Sequence, residues 1–219
     1  PYYEYHDDYF ANLLLGNGDG TFLLTDVKST PDSVSPDAGD FDNDGQLDLL
    51  TAGGVLPGNG DGTFREPVSS TYSPIVWSGS SDSVGDFNGD RNLDVLSSTH
   101  MYGANSPAVV RFGNGDGTFR PGMDLSAEGF YLLVTGTGDV NADGKLDIVI
   151  IRSELDHDTF TETISLQVLL SNEDGSFAPI VYNLGTLPGA SSGESPILED
   201  FNGDGLPDLV TSNIYAASN

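Results

Sequence analysis

Apolar residues along this chain fall in short runs bounded by turn residues, with no helical stripe. Asp48-Leu-Leu-Thr-Ala52, Asp94-Val-Leu-Ser-Ser98, Asp147-Ile-Val-Ile-Ile151 and Asp208-Leu-Val-Thr-Ser212 are rich in leucine and β-branched residues, which is strand composition. Other runs flank Gly-Asn-Gly-Asp-Gly-Thr-Phe at 16–22, 58–64 and 113–119, and the looser Ser171-Asn-Glu-Asp-Gly-Ser-Phe177. Asn-Gly and Asp-Gly between apolar runs signal hairpins, with the following phenylalanine entering the next strand as an inward-facing plug. The carboxylates of Asp19, Asp61, Asp116 and Asp174 in these turns read as turn formers before metal contacts.

Between the first and second strand of each unit lies a nine-residue acidic loop. It is written Asp40-Phe-Asp-Asn-Asp-Gly-Gln-Leu-Asp48, Asp86-Phe-Asn-Gly-Asp-Arg-Asn-Leu-Asp94, Asp139-Val-Asn-Ala-Asp-Gly-Lys-Leu-Asp147 and Asp200-Phe-Asn-Gly-Asp-Gly-Leu-Pro-Asp208. The order in one unit is strand, acidic loop, strand, short connection, strand, glycine hairpin, strand, which is a four-stranded antiparallel blade. The first loop aspartates, at 40, 86, 139 and 200, are spaced 46, 53 and 61 residues apart, in the range of propeller blades.

The sequence therefore predicts an all-β fold, a β-propeller forming one domain over 1–219. Its units are a half blade at 1–31, blades at 32–72, 73–127 and 128–188, and a half blade at 189–219. The first whole blade has strands near 33–39, 47–53, 54–56 and 63–70. The next has 75–85, 93–99, 108–112 and 118–125, and the third 130–137, 146–152, 163–170 and 177–184. The chain opens with the last two strands of a unit, near 10–15 and 21–28, and closes with the first two, near 197–199 and 206–212. Pairing of the half blades would close a four-bladed ring without a bare edge; the alternative is a fragment of a larger ring, for example of seven blades. A start at Pro1, inside a repeat and without methionine, fits a processed protein or an excised domain.

All four loops fit D-x-[DN]-x-D-x-x-x-D, a spacing suited to Ca²⁺, which takes about six to eight hard oxygen ligands. In the first, Asp40, Asp42 and Asp44 offer carboxylates, the carbonyl of Gln46 faces the ion and Asp48 closes the shell. The same positions give Asp86, Asn88, Asp90, the Asn92 carbonyl and Asp94; Asp139, Asn141, Asp143, the Lys145 carbonyl and Asp147; and Asp200, Asn202, Asp204, the Leu206 carbonyl and Asp208. About four ions are expected, one per loop. Glycine at the sixth position permits a left-handed backbone, but Arg91 stands there in the second loop at a cost of about 1 kcal/mol, so the Asp86 loop is expected to bind most weakly. An EF-hand is excluded, since no glutamate stands at the twelfth position and no helix flanks the loops. A single copy would read as a solvated Asx-turn; four copies before four strands favour a metal loop.

Charge changes the picture of partners. The chain has 34 acidic against 7 basic residues and a net charge of −27, which argues against nucleic acid and anionic membranes. Four calcium ions would still leave −19. A hydrophobic content of 37% with regular turns marks a folded chain, and its 219 residues suffice for a core. There is no cysteine, hence no disulfide framework and no thiolate zinc site. The longest aliphatic run, at 148–151, is far too short for a membrane span, and the residues from Pro1 onward are not expected to include a signal peptide.

The paired signatures Asp-Phe-Asn-Gly-Asp-Gly-x-x-Asp and Leu-Leu-Gly-Asn-Gly-Asp-Gly-Thr-Phe resemble the FG-GAP/VCBS repeats of integrin-α-type β-propellers and related bacterial and fungal propellers, including some lectins. The resemblance covers nearly the whole chain. It implies calcium at the first, third, fifth and ninth loop positions, with Arg91 the main departure. Family members include adhesion modules, sugar binders and noncatalytic parts of secreted enzymes.

Extracellular calcium modules have dissociation constants of about 10⁻⁴–10⁻³ M. At the tighter end, about 1 mM free ion contributes about 1.4 kcal/mol per site, and four sites about 5–6 kcal/mol, comparable with the stability of a typical domain. Calcium is thus expected to be structural. Unfilled loops would hold repelling carboxylates, so a secreted or cell-surface location is expected.

Chemistry for catalysis is sparse. His6, His100 and His157 are the only histidines, and they read as exposed loop residues. There is no G-x-S-x-G, H-E-x-x-H or phosphate loop. Binding chemistry lies in the connections that differ between repeats, at 71–79, 100–106, 153–162 and 186–194. Tyr72, Trp77 and Tyr102 are the candidate ligand residues: their rings can stack on a sugar while Ser and Asp take its hydroxyls. Packing of Trp77 between blades is the competing reading, and it applies equally to Met101, Tyr102, Tyr2, Tyr3 and Tyr5. The first functional expectation is a noncatalytic, monomeric extracellular module binding glycans or proteins. The second is a secreted polysaccharide lyase or hydrolase with its site on blade loops, and the third a structural or assembly module.

Overall fold

A computed structural model describes residues 9–30, 37–51, 53–72, 80–99, 108–125, 131–156, 158, 161–188 and 197–210. The described residues are all-β, with fifteen strands in five antiparallel sheets and no helix. β1 (Tyr9–Gly16) and β2 (Phe22–Thr30) form a hairpin. β3 (Asp37–Gly39), β4 (Asp48–Thr51) and β5 (Gly54–Leu56) form a three-stranded sheet. β6 (Ser80–Gly85), β7 (Asp94–Thr99), β8 (Ala108–Gly113) and β9 (Phe119–Arg120) form a meander of four. A second meander contains β10 (Tyr131–Gly138), β11 (Asp147–Asp156), β12 (Thr161–Ser171) and β13 (Phe177–Pro188). β14 (Ile197–Glu199) and β15 (Asp208–Val210) make the last pair.

In chain order the sheets contain two, three, four, four and two strands, and they depart from the strands read in the sequence at two places. The expected strand at 63–70 is reduced to the bridges Gly58↔Phe64 and Val55↔Val68, whose spacing leaves one extra residue on this side, a bulge of the kind that accommodates Pro67. In the next unit, Pro121-Gly122 interrupts the fourth strand after β9, and the edge is regained only at Val109↔Asp124. In the opposite direction, the variable connection expected at 153–162 is mostly ladder, since Ser153 pairs with Ile164 and Asp156 with Thr161. β13 likewise runs to Pro188, into the connection expected at 186–194.

The blades stack face to face with their first strands together: β3 meets β6, β6 meets β10 and β10 meets β14. Alternation along each strand sends side chains to both faces of a sheet. Leu96, Val110, Phe112, Ile148, Ile150, Leu169 and Phe177 meet around Phe87 between the third and fourth sheets. Phe41, Leu50, Val55, Val95 and Phe119 do the same one interface earlier, with Phe119 edge-on to Phe41 at 6.0 Å between centroids. Burying each such side chain stabilises by about 1.5–3 kcal/mol. The glycine before each of the first three acidic loops leaves a hole that the next unit fills. A Cβ on Gly39 would lie 2.6 Å from Leu93 Cδ1, and one on Gly85 2.1 Å from Leu146 Cδ1.

At the two ends the equivalent faces are bare. The hairpin phenylalanine is buried at Phe119 and Phe177 but 64% exposed at Phe22, correcting the expectation that all four act as plugs. At the second loop position, Phe41 and Phe87 are buried while Phe201 is 59% exposed. Each lacks the adjoining blade that covers its counterparts. β1 pairs with β2 and β15 with β14; among the described residues the half blades do not pair with each other.

Candidate metal centre

Each acidic loop joins the first strand of its blade to the second and folds around its own carboxylates. The first aspartate accepts the amides of the fifth and sixth residues: Asp44 N at 3.0 Å and Gly45 N at 3.0 Å on Asp40, and Asp143 N at 3.0 Å and Gly144 N at 2.8 Å on Asp139. Asp86 and Asp200 do likewise, the latter through Asp204 N and Gly205 N. The third side chain, from Asp42, Asn88, Asn141 or Asn202, accepts the fifth amide. The fifth carboxylate accepts the seventh amide, that of Gln46, Asn92, Lys145 or Leu206. One network is therefore repeated four times.

Two left-handed residues make this turn possible. The sixth position is left-handed as expected, at Gly45, Gly144, Gly205 and, with φ 72°, at Arg91. The fourth is left-handed as well, including Asn43 and Ala142 with φ 59° each. The sequence reading missed this second position, although Gly89 and Gly203 there were the visible signal. Left-handed Ala142 costs about 1–2 kcal/mol, so backbone strain is not confined to the Asp86 loop.

The ninth aspartate has a different task. Asp48, Asp94 and Asp147 are buried, each holding two amides from separate segments. Asp94 Oδ2 accepts Phe87 N and its Oδ1 accepts Gly113 N, both at 2.9 Å. Asp48 takes Phe41 N and Gly58 N, and Asp147 takes Val140 N and Ser171 N. Asp208 is only half-buried and takes Phe201 N at 3.1 Å. The carboxylate ties the start of the loop to the end of the third strand. Burial pushes the Asp94 carboxyl up to about 7, its two amide partners opposing the shift. Asp48 and Asp147 are raised for the same reason.

In the first loop Asp40, Asp42 and Asp48 bring carboxylate oxygens within 4.8 Å of one another. This donor set, all hard oxygen, fits Ca²⁺ or Mg²⁺ and does not suit soft metals. The other loops substitute an amide oxygen at the third position. Cations of the chain lie against the same groups: Arg65 Nη2 is 2.8 Å from Asp42 Oδ2 and 3.1 Å from Asp44 Oδ2, Arg120 Nη2 is 2.9 Å from Asp90 Oδ2, and Lys145 Nζ is 3.1 Å from Asp143 Oδ2. The sequence reading did not single out these arginines. Their signal was a Thr-Phe-Arg triplet at both 63–65 and 118–120, in a chain with only 7 basic residues.

The hairpin aspartates are occupied within their own turns. Asp61 Oδ1 accepts Thr63 N at 2.9 Å and Thr63 Oγ1 at 2.6 Å, and Asp19, Asp116 and Asp174 repeat the arrangement. The threonine or serine hydroxyl holds these carboxyls below their ordinary value. Positive φ in these turns falls on glycines such as Gly60 and Gly62, while the aspartate supplies the cap. Of the candidate ligand residues, Tyr72 is exposed in a turn. Trp77 and Tyr102 lie outside the described residues, as do Met101, Tyr2, Tyr3, Tyr5, His6, His100, His157 and most of the connections at 71–79, 100–106 and 186–194.

No helix among the described residues is long and apolar enough to cross a membrane. No curated protein and no solved structure matches the chain. A family model described as an FG-GAP-like repeat matches residues 86–150 and again 139–211, so the matches begin at the loop aspartates Asp86 and Asp139. Repeats of this kind build β-propeller-like modules and are typical of extracellular or surface proteins. With two overlapping matches spanning more than half of its length and the blade architecture described above, the chain belongs to the FG-GAP-like repeat family.

Proposed function

We propose that the protein is a noncatalytic, calcium-stabilised β-propeller module, secreted or displayed at the cell surface, that binds glycans or proteins through the connections between its strands. The observation that carries this reading is the fourfold repetition of one oxygen-lined loop network. The residues that would hold calcium are the first, third, fifth and ninth of each loop, with the seventh carbonyl completing the set. Bound calcium would supply positive charge to a chain of net charge −27 and stiffen the junction of the first two strands. The Asp86 loop, with Arg91 left-handed, and the Asp139 loop, with Ala142 left-handed, are the weaker sites in this reading. Ligand recognition is assigned to the aromatic connections containing Tyr72, Trp77 and Tyr102.

Thermal unfolding in millimolar calcium and in excess chelator tests the metal assignment, with native mass recorded alongside. A large fall in melting temperature on chelation supports it, and an unchanged melting temperature removes it. A glycan array with and without calcium tests the ligand class. Binding lost on Trp77→Ala, with the melting temperature kept, places recognition on that connection. Turnover of an acidic polysaccharide would replace the noncatalytic reading.

A further inference from the structure

The loops' own amides leave particular oxygens over. In the first loop, Asp40 accepts amides on both oxygens, and Asp42 and Asp44 use Oδ1 for Asp44 N and Gln46 N. What remains is Oδ2 of Asp42 and Oδ2 of Asp44, and the guanidinium of Arg65 spans both, at 2.8 and 3.1 Å. These oxygens belong to the third and fifth positions, where an incoming cation would also need donors. Arg65 comes from the far side of the hairpin, held by its amide on Pro57 O at 2.8 Å. In the next blade Arg120, at the same place in the repeat, takes Asp90 Oδ2. In the fourth sheet Ala178 replaces the arginine, and Lys145 takes Asp143 Oδ2 from within the loop.

We propose that Arg65 is a resident counter-ion of the Asp40 loop and competes with a divalent cation for the third and fifth carboxylates. The inference rests on the calcium reading above. The guanidinium offsets one of the pair's two charges when the ion is absent, and it must swing toward solvent when the ion arrives. Its side chain is 48% exposed, so the movement needs no repacking. The consequence is a loop that keeps its shape without metal and binds metal less tightly than its ligand count implies. Arg120, whose side chain is 49% exposed, acts alike on the one fifth-position carboxylate it reaches, Asp90. The Asp200 loop, with glycine at both left-handed positions and no such cation among the described residues, is the tightest site.

The test is calcium titration of the full chain and of Arg65→Gln, followed by amide NMR. The Gly45 amide, bonded to Asp40, reports the first loop, and the Gly144 amide, bonded to Asp139, serves as internal control. Arg65→Gln is expected to tighten calcium at Gly45 by about fivefold, the scale of an exposed ion pair, while Gly144 is unaffected. Arg65→Lys, which keeps the charge, should return most of the way to the parent value. In chelator Arg65→Gln should unfold at lower temperature than the parent, and in saturating calcium the two should agree. Unchanged or weaker binding at Gly45, with Gly144 still responding, overturns the proposal and leaves the calcium reading standing. No response at either glycine in the parent chain overturns the calcium reading itself.

Discussion

Asp94 turns the metal question into a pH experiment. Its carboxyl is fully buried and, with no cation bound, is pushed up to about 7 from 3.8 by loss of hydration. Between these values the folded chain keeps a proton that the unfolded chain releases. The stability this contributes is fully present below about pH 4 and is lost as pH rises through about 7. One retained proton corresponds to a slope of about 1.4 kcal/mol per pH unit. From pH 5 to 7 the chelated protein should therefore lose about 2 kcal/mol, with Asp48 and Asp147 adding in the same direction. The assay is urea unfolding at half-unit pH steps in excess chelator, comparing the parent chain with Asp94→Asn. The variant should show a flatter profile by about one proton, whatever its absolute stability. If the ninth carboxylate also holds calcium, as proposed above, the sign should reverse in millimolar calcium, because proton and cation would then compete for it. A chelated parent whose stability is flat or rising from pH 5 to 7, or an Asp94→Asn profile parallel to the parent's, would refute this reasoning.

Other perturbations follow from packing. Phe87→Ala should cost about 3–5 kcal/mol in chemical unfolding, as for other buried phenylalanines, whereas Phe22→Ala should cost less than about 1 kcal/mol at its exposed site. A loss at Phe22 as large as at Phe87 would show that a further blade face covers it. Gly113 is approached by Leu93 O, which a Cβ would meet at 2.2 Å, so Gly113→Val should destabilise by about 3 kcal/mol. Gly113→Ser should be milder, because Ser171 occupies the matching place in the next blade and donates its hydroxyl to Leu146 O. Equal melting temperatures for the two variants would remove that argument.

The blade plan was legible because it repeats. Four loops and four hairpins fix the order of strands, and the first strands had only to be inferred from the gaps between them. What escaped reading depends on contacts distant along the chain. Arg65 reaches Asp42 across 23 residues and Arg120 reaches Asp90 across 30, and no local period announces such a pair. The burial of Asp94 was equally hidden, because a ninth-position carboxylate looks the same in sequence whether it faces an ion or two amides. The exposure of Phe22 and Phe201 also depends on neighbours, since identical motifs are covered only where a blade adjoins them. The strand at 63–70 failed for a local reason that was visible in Pro67.

The double amide grip of the ninth aspartate has an evolutionary consequence. A substitution at the first, third or fifth position leaves this carboxylate still needed to anchor the third strand, so selection for folding alone would keep it. The first aspartate is in part protected in the same way by the amides of the fifth and sixth residues. An aspartate at the ninth position of such a repeat is therefore explained by the two amides it holds, whether or not an ion is bound.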